Sequence, residues 1–318
     1  MRSSRKSIRD ILNHQDSRLL IIAGPCSIHN TTAALEYARK FKALAEEVSD
    51  TFFLVMRAYF EKPRTGTGWR GLLHDPNING QYDIETGLKI AREFFLQLTE
   101  LEVPIASEIL DPSIGAYLGD MITWGSIGAR TPESQIHRQV ASGLDFPIGI
   151  KNSTSGDLLG AINGIRSASQ ANSYIGINGE GKVSSILTKG NQDTHLVLRG
   201  SHNQPNYDAQ SLRKAAHLLE ECQLPPRVIV DCSHGNSMKD PEKQPEVFAN
   251  VMEQFHSGNR AIRGLMLESH IHEGNQTKPL RYGVSITDAC ISWETTEHIL
   301  LKYVNTSPAG EEAYACKD

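Results

Sequence analysis

Cysteine is scarce in this chain and irregularly placed, with five residues at positions 26, 222, 232, 290 and 316 and no CxxC pair. An odd number without framework spacing excludes a disulfide scaffold and a zinc knuckle, and points to a reducing cytoplasm. No apolar run approaches the roughly 18 residues of a bilayer span. The net charge of −5 is spread without a basic stripe, so neither nucleic acid nor a membrane surface is an expected partner. Walker, GxSxG and Ser-His-Asp patterns are missing, and Gly66, Gly68 and Gly71 around Trp69 read as a mobile lid rather than a nucleotide loop, which sets aside the nucleotide-loop and serine-hydrolase classes. A long polar or Pro/Ser-rich linker is missing too. The 318 residues therefore read as one decorated domain, although length divided by about 150 would suggest two.

What the chain does have is eight short apolar runs, each followed by a group that binds metal, phosphate or carboxylate. Leu19–Ala23 leads to Cys26, Phe52–Met56 to Arg57, Val103–Ala106 to Glu108 and Trp124–Ala129 to Arg130. Pro147–Ile150 leads to Lys151, His195–Leu198 to Arg199, Val228–Val230 to His234 and Ile262–Leu267 to Glu268. Segments of helical period lie between them. Ile84, Leu88, Ala91, Phe95 and Leu98 form one predicted buried stripe, and Leu35, Ala38, Phe41, Ala45 and Val48 another. Leu212, Ala216 and Leu219, then Val247, Val251 and Phe255, give two more; Asn30 and Thr31 are candidate N-caps. Strand–helix alternation repeated eight times predicts an α/β fold, a (β/α)8 TIM barrel with its chemistry on the C-terminal rim of the strands.

Residues 173–188 interrupt the alternation, with two strand-like arms about Gly179-Glu180-Gly181 and no catalytic-type residue at either end. They read as an inserted β-hairpin for subunit contact or regulation. Residues 60–81 are too long and Gly-rich for an ordinary connection and read as a lid over the rim. Residues 1–18 read as an N-terminal helical extension rather than a transit peptide, since Asp10 and Asp16 interrupt the basic residues. The barrel then occupies 19–304, and the polar stretch 305–318 reads as a tail.

A lone cysteine after an apolar run is usually a small core residue. Cys26 gains meaning from His234, Glu268 and Asp288, because strands one, seven and eight become neighbours when a barrel closes. Thiolate, imidazole and carboxylates suit Mn²⁺, Fe²⁺, Co²⁺ or Zn²⁺ better than Mg²⁺ or Ca²⁺. Arg57, Lys62 and Arg64 by themselves would pass for a solvated charged loop. Arg130, Lys151 and Arg199 at three other strand ends argue for a small ligand carrying both phosphate and carboxylate. Glu108 reads as a carboxylate that orients one of these cations.

The segments GPCSIH, MRAYFEKPRT, GARTPESQ, GIKNST, LRGSHNQPNY, DCSHGNS, LESHIHEGNQ and YGVSITDACISWE closely resemble the microbial, feedback-regulated type I 3-deoxy-7-phosphoheptulonate (DAHP) synthases. The resemblance runs from about Ser7 to about Val304. It implies a (β/α)8 enzyme that condenses phosphoenolpyruvate with erythrose 4-phosphate at the head of the shikimate pathway, with a divalent metal. On matching positions it implies metal ligands at Cys26, His234, Glu268 and Asp288. It places phosphoenolpyruvate at Arg57, Lys62, Glu108, Ala129, Arg130, Lys151 and Arg199, and the aldose phosphate along Lys62-Pro63-Arg64-Thr65. Lys62, Cys26 and His234 are the catalytic candidates, and a homodimer or homotetramer with an aromatic amino-acid effector is expected.

Two features depart from that family. The stretch before Cys26 is shorter than its regulated members carry, and the hairpin reads as lightly populated with large apolar residues, having Gly176 and Gly179 in its first arm and turn. Both predict weak or altered feedback by Phe, Tyr or Trp. Cys290, two residues past Asp288, is placed to pair with Cys26 in oxidised, metal-free protein. The competing readings are a related phosphoenolpyruvate–aldose phosphate synthase, a catalytically silent regulatory paralogue, and a metal-dependent pyruvate aldolase.

Overall fold

Alternation along the strands decides where every functional side chain goes. In the computed structural model, which describes residues 1–64, 66–278 and 280–304, the chain opens with helix α1 (Arg2–Leu12). There follow β1 (Leu19–Gly24), α2 (Thr31–Glu47), β2 (Phe52–Arg57), α3 (Ile84–Glu100), β3 (Ile105–Glu108), α4 (Ile114–Leu118) and β4 (Trp124–Ile127). Next come α5 (Gln135–Ala141), β5 (Ile148–Lys151), α6 (Leu159–Ala168), β6 (Ser173–Ile177), β7 (Val183–Leu187) and β8 (Thr194–Leu198). The last elements are α7 (Ala209–Glu221), β9 (Val228–Asp231), α8 (Gln244–His256), β10 (Ile262–Glu268) and α9 (Trp293–Leu301). Eight strands close a parallel barrel in the order β1-β10-β9-β8-β5-β4-β3-β2, while β6 and β7 pair only with each other. This is the expected TIM barrel, with the hairpin inserted between its fifth and sixth strands.

Both faces of each barrel strand are covered, which is why the strands read as continuous apolar runs rather than alternating ones. Outward residues such as Ile21, Leu54, Ile150, Leu198, Val230 and Leu267 join the helices in one large core. Inward residues Leu20, Ile22, Val55, Ala106, Trp124, Val197, Ile229 and Met266 fill the barrel. Gly149 makes room for the largest of them, since a Cβ there would lie 2.5 Å from the Trp124 ring and 2.6 Å from Val197. Helix α1 closes the bottom. Its Ile8, Ile11 and Leu12 belong to the barrel's own inner cluster, and Arg5 ties it to the carbonyls of Gly119 and Ile122.

Asn30 caps α2 by accepting from the Ala33 N–H at 3.0 Å, and Asp83 caps α3 in the same way from Thr86. The predicted stripes are rotated slightly. Ile84 is exposed and Leu88 half-buried, while Phe94 joins Ala91, Phe95 and Leu98 in the core. The cause is Phe60, whose ring packs 5.9 Å from Phe94 and 4.8 Å from Phe95 and draws that face inward. On α2 the buried set is Ala34, Tyr37, Ala38, Phe41 and Leu44, with Leu35 and Ala45 at its edge; on α7 Ala215 replaces Ala216. The hairpin also departs from expectation. It is not poor in large apolar residues, for Ile175, Ile177, Val183 and Leu187 line one fully presented face. Among the described residues no helix is long and apolar enough to cross a membrane.

Candidate active site

Two residues above the inner apolar layer, the same inward alternation delivers a polar layer. Val55 is followed by Arg57, Ala106 by Glu108, Trp124 by Ser126, Gly149 by Lys151, Val197 by Arg199, Ile229 by Asp231 and Met266 by Glu268. Side chains two apart on a strand share a face, so this ring of ionisable groups follows from period two alone. Arg57, Glu108, Lys151 and Arg199 of this ring line a 160 Å³ cavity whose walls include Tyr59, Lys62, Pro63, Arg64, Ala129, Arg130, His234 and Asp288.

Beneath the cavity, ligand-type atoms of Cys26, Glu268 and Asp288 lie within 4.8 Å of one another. His234 Nε2 is 3.5 Å from Glu268 Oε1 and completes a sulfur, nitrogen and oxygen set. Its other ring nitrogen, Nδ1, lies 2.7 Å from Ser233 Oγ and 2.9 Å from Asp231 Oδ2, which fixes the ring and leaves Nε2 facing the cluster. Glu268 is 1% exposed, yet Oε1 has no aligned hydrogen-bond donor among the described residues. A buried carboxylate oxygen to which Arg57, at 3.0 Å, aligns no hydrogen bond, beside a buried thiol and an imidazole nitrogen, suits a divalent cation. Burial and then Glu268 push the Cys26 thiol up, against the pull of Lys62 and Arg57. Cys26 and Cys290 are both free thiols and are neighbours, the Cys26 backbone lying within hydrogen-bonding reach of the Cys290 sulfur.

The cations divide by partner. Arg57 reaches Glu268 at 3.0 Å, donates to the carbonyls of Pro25 and Cys26, and stacks its guanidinium 3.7 Å over Tyr59. Lys151 is 2.7 Å from Asp231. Lys62 donates to Cys26 Sγ at 3.1 Å, joining the expected sugar-phosphate segment to the cluster. Arg199 is 7% exposed, and its Nη1 has no partner among the described residues. Glu108 Oε1 is likewise buried and unpaired. An unpaired guanidinium nitrogen and an unpaired carboxylate oxygen on a cavity wall are polar groups left for a ligand.

The segment from Phe60 onward is more firmly built than a lid. Lys62 N–H donates to Arg70 O at 3.0 Å, Arg64 Nε to Trp69 O at 2.8 Å, and Trp69 Nε1 to Asp75 O at 2.8 Å. Leu72 and Leu73 are buried, so this part is a packed arm that holds Lys62, Pro63 and Arg64 against the cavity. Thr65 lies outside the described residues. Of the other metal, substrate and catalytic candidates, the structure brings all to one end of the barrel, with Cys26 and Glu268 buried below the cavity and Arg130 exposed at its edge. Asp231, Tyr59, Thr154, His202, Lys239 and Thr287 share the region without having been singled out. Asp231 was within reach of the inward-parity argument, as a carboxylate ending an apolar strand.

The family model described as the DAHP synthetase I family matches residues 2–301. A Tyr-sensitive phospho-2-dehydro-3-deoxyheptonate aldolase of Escherichia coli is 53% identical over 302 residues, covering 93% of this chain and 85% of the relative. Its Salmonella typhimurium namesake is 51% identical over 315 residues, covering 98% and 88%. A solved phospho-2-dehydro-3-deoxyheptonate aldolase from Francisella tularensis superposes with a TM-score of 0.92 at 41% identity, over 95% of this chain and 90% of that one.

Proposed function

The chain belongs to the DAHP synthetase I family, and from that premise we propose how its rim carries out the family's reaction. Phosphoenolpyruvate, D-erythrose 4-phosphate and water give 3-deoxy-D-arabino-heptulosonate 7-phosphate and inorganic phosphate, the first step of aromatic biosynthesis. The observation that carries the reading is the pairing of one unsatisfied buried cation, Arg199, with a Cys/His/Glu/Asp cluster on the same rim.

Arg199 and Arg130 take the phosphoenolpyruvate phosphate, and Lys151 takes its carboxylate with the charge of Arg57 behind it. Arg57 is already engaged by Glu268 and two carbonyls, so it contributes field more than a free fork. Pro63 and Arg64, with Lys62, hold the aldose phosphate so that its aldehyde carbon meets the enol C3. Cys26, His234, Glu268 and Asp288 hold the divalent metal, Mn²⁺, Fe²⁺, Co²⁺ or Zn²⁺, which supplies Lewis-acid polarisation of the aldehyde. The C3–C1 bond forms, water adds at C2, and phosphate leaves by C–O cleavage. Lys62, beside the cluster, delivers the proton to the new alkoxide. Glu108 orients the cationic wall.

We further read an aromatic amino acid as effector, since the relatives named above are Tyr-sensitive. A 300 Å³ cavity between the hairpin and α4 and α5, lined by Ile136, Val140, Leu144 and Tyr174, has the size and apolar character for such a side chain. A homodimer or homotetramer, in the cytoplasm, is the expected form. The test is phosphate release from phosphoenolpyruvate on adding erythrose 4-phosphate, with Mn²⁺ and then with excess EDTA. Metal-dependent release that needs both substrates supports the reading; no release with any divalent metal or aldose phosphate overturns it in favour of a silent paralogue.

A further inference from the structure

One buried oxygen is shared between the two halves of the site. Asp231 ends β9 with no exposed surface, and its Oδ2 lies 2.7 Å from Lys151 Nζ and 2.9 Å from His234 Nδ1. Its other oxygen is held by Ser233, through the N–H at 3.1 Å and the hydroxyl at 2.6 Å, and that hydroxyl oxygen itself lies 2.7 Å from His234 Nδ1, so the carboxylate cannot turn to give each partner its own atom. Lys151 belongs to the proposed phosphoenolpyruvate wall, and His234 to the proposed metal set.

We propose that Asp231 is a positioning residue through which metal affinity and phosphoenolpyruvate affinity are coupled. The inference rests on the site reading given above. An anion that binds Lys151 draws the ammonium's charge away from the Asp231 carboxylate, which then attracts His234 Nδ1–H more strongly, at Oδ2 and through the Ser233 hydroxyl between them. A stronger acceptor on Nδ1 makes Nε2 a better metal donor. In reverse, a cation on Nε2 makes Nδ1–H a stronger donor, occupies Oδ2 and releases Lys151 toward the substrate. The coupling is therefore positive and must be the same in both directions. Direct attraction between metal and substrate adds to it but does not pass through Asp231.

The experiment measures the dissociation constant of Mn²⁺ by chelator competition, with and without saturating phosphoenolpyruvate, and that of phosphoenolpyruvate by calorimetry, with and without Mn²⁺. Wild type is compared with Asp231→Asn, which keeps the size and removes the charge. In the variant, metal binding is expected to weaken about 10–100-fold. The factor by which each ligand tightens the other is expected to fall at least fivefold. A folded variant whose coupling factor stays within twofold of wild type overturns the proposal while leaving the synthase reading intact. Wild type that binds neither ligand overturns both. If Asp231→Asn does not fold, ¹⁵N-histidine spectra of the wild-type Zn²⁺ form decide the matter. A His234 Nδ1 signal that moves on adding phosphoenolpyruvate supports the relay, and one that stays put overturns it.

Discussion

Arg57 and Glu268 face each other at 3.0 Å with only 1% of either side chain exposed. Burial works most strongly against the Arg57 charge, but Glu268, Tyr59, Cys26 and Asp231 together outweigh it and hold the guanidinium firmly protonated. Two buried charges so placed are costly to separate. Arg57→Met leaves Glu268 without its counter-charge and is expected to cost about 3–5 kcal/mol. Chemical denaturation checks this. A divalent cation should recover part of the loss, because it replaces the missing positive charge beside Glu268.

Cys26 is the sulfur of the proposed metal set, and Lys62 donates to it at 3.1 Å. Cys26→Ala is expected to abolish metal-dependent turnover, by more than the about 10–100-fold typical of losing an outer partner of a ligand. The Co²⁺ form should also lose its sulfur-to-metal charge-transfer band. Full activity in this variant would remove the thiol from the metal set.

Gly71 carries φ +107, and a Cβ there would lie 2.0 Å from the Phe60 carbonyl oxygen. The backbone passes this close because Lys62 N–H must reach Arg70 O to fold the arm back onto the rim. Gly71→Ala is expected to cost about 1–3 kcal/mol through forced overpacking. Its functional mark should be a raised KM for the aldose phosphate, whose proposed ligands lie on this arm, with a smaller change for phosphoenolpyruvate.

His195 is 1% exposed inside the barrel, accepting from Trp124 Nε1 at 3.0 Å and, with its other nitrogen, facing the Asp193 carbonyl at 2.9 Å. Both contacts suit a neutral ring with its proton on Nδ1. Burial, with Arg227 nearby, pushes its pKa down to about 4 from 6.5. A base lowered in the folded state binds its proton more readily when unfolded. Its contribution is full above about pH 6.5 and is lost as pH falls toward 4, by about 1.4 kcal/mol for each pH unit. Thermal unfolding between pH 7 and 5 should show this slope, and His195→Gln should flatten it.

The order of strands, the rim and the placement of most candidate side chains were legible because two local rules carry them. Continuous apolar runs announce strands buried on both faces, and residues just past a run land on the rim, as Arg57, Glu108, Lys151 and Arg199 do. What stayed hidden depends on partners distant in sequence. The stripe on α3 turned toward Phe60, a residue outside that helix. Asp231 gains its place from Lys151 and His234, whose approach only barrel closure creates. The arm after Phe60 looked like a free lid because its backbone hydrogen bonds leave no trace in composition.

The hairpin presents Ile175 at 78%, Val183 at 77% and Leu187 at 81% exposure on one face. Alternation explains the geometry: Tyr174 and Ile186 turn toward the body, so their neighbours must point away. A two-stranded ribbon is marginal in water, and an apolar outer face gives it no support without a covering surface. A second copy of the chain is the covering expected here, in keeping with the proposed homodimer or homotetramer. Leu187→Asp combined with Ile175→Asp is expected to lower the mass measured by light scattering while leaving metal binding intact. An unchanged mass would place the subunit contact elsewhere on the barrel.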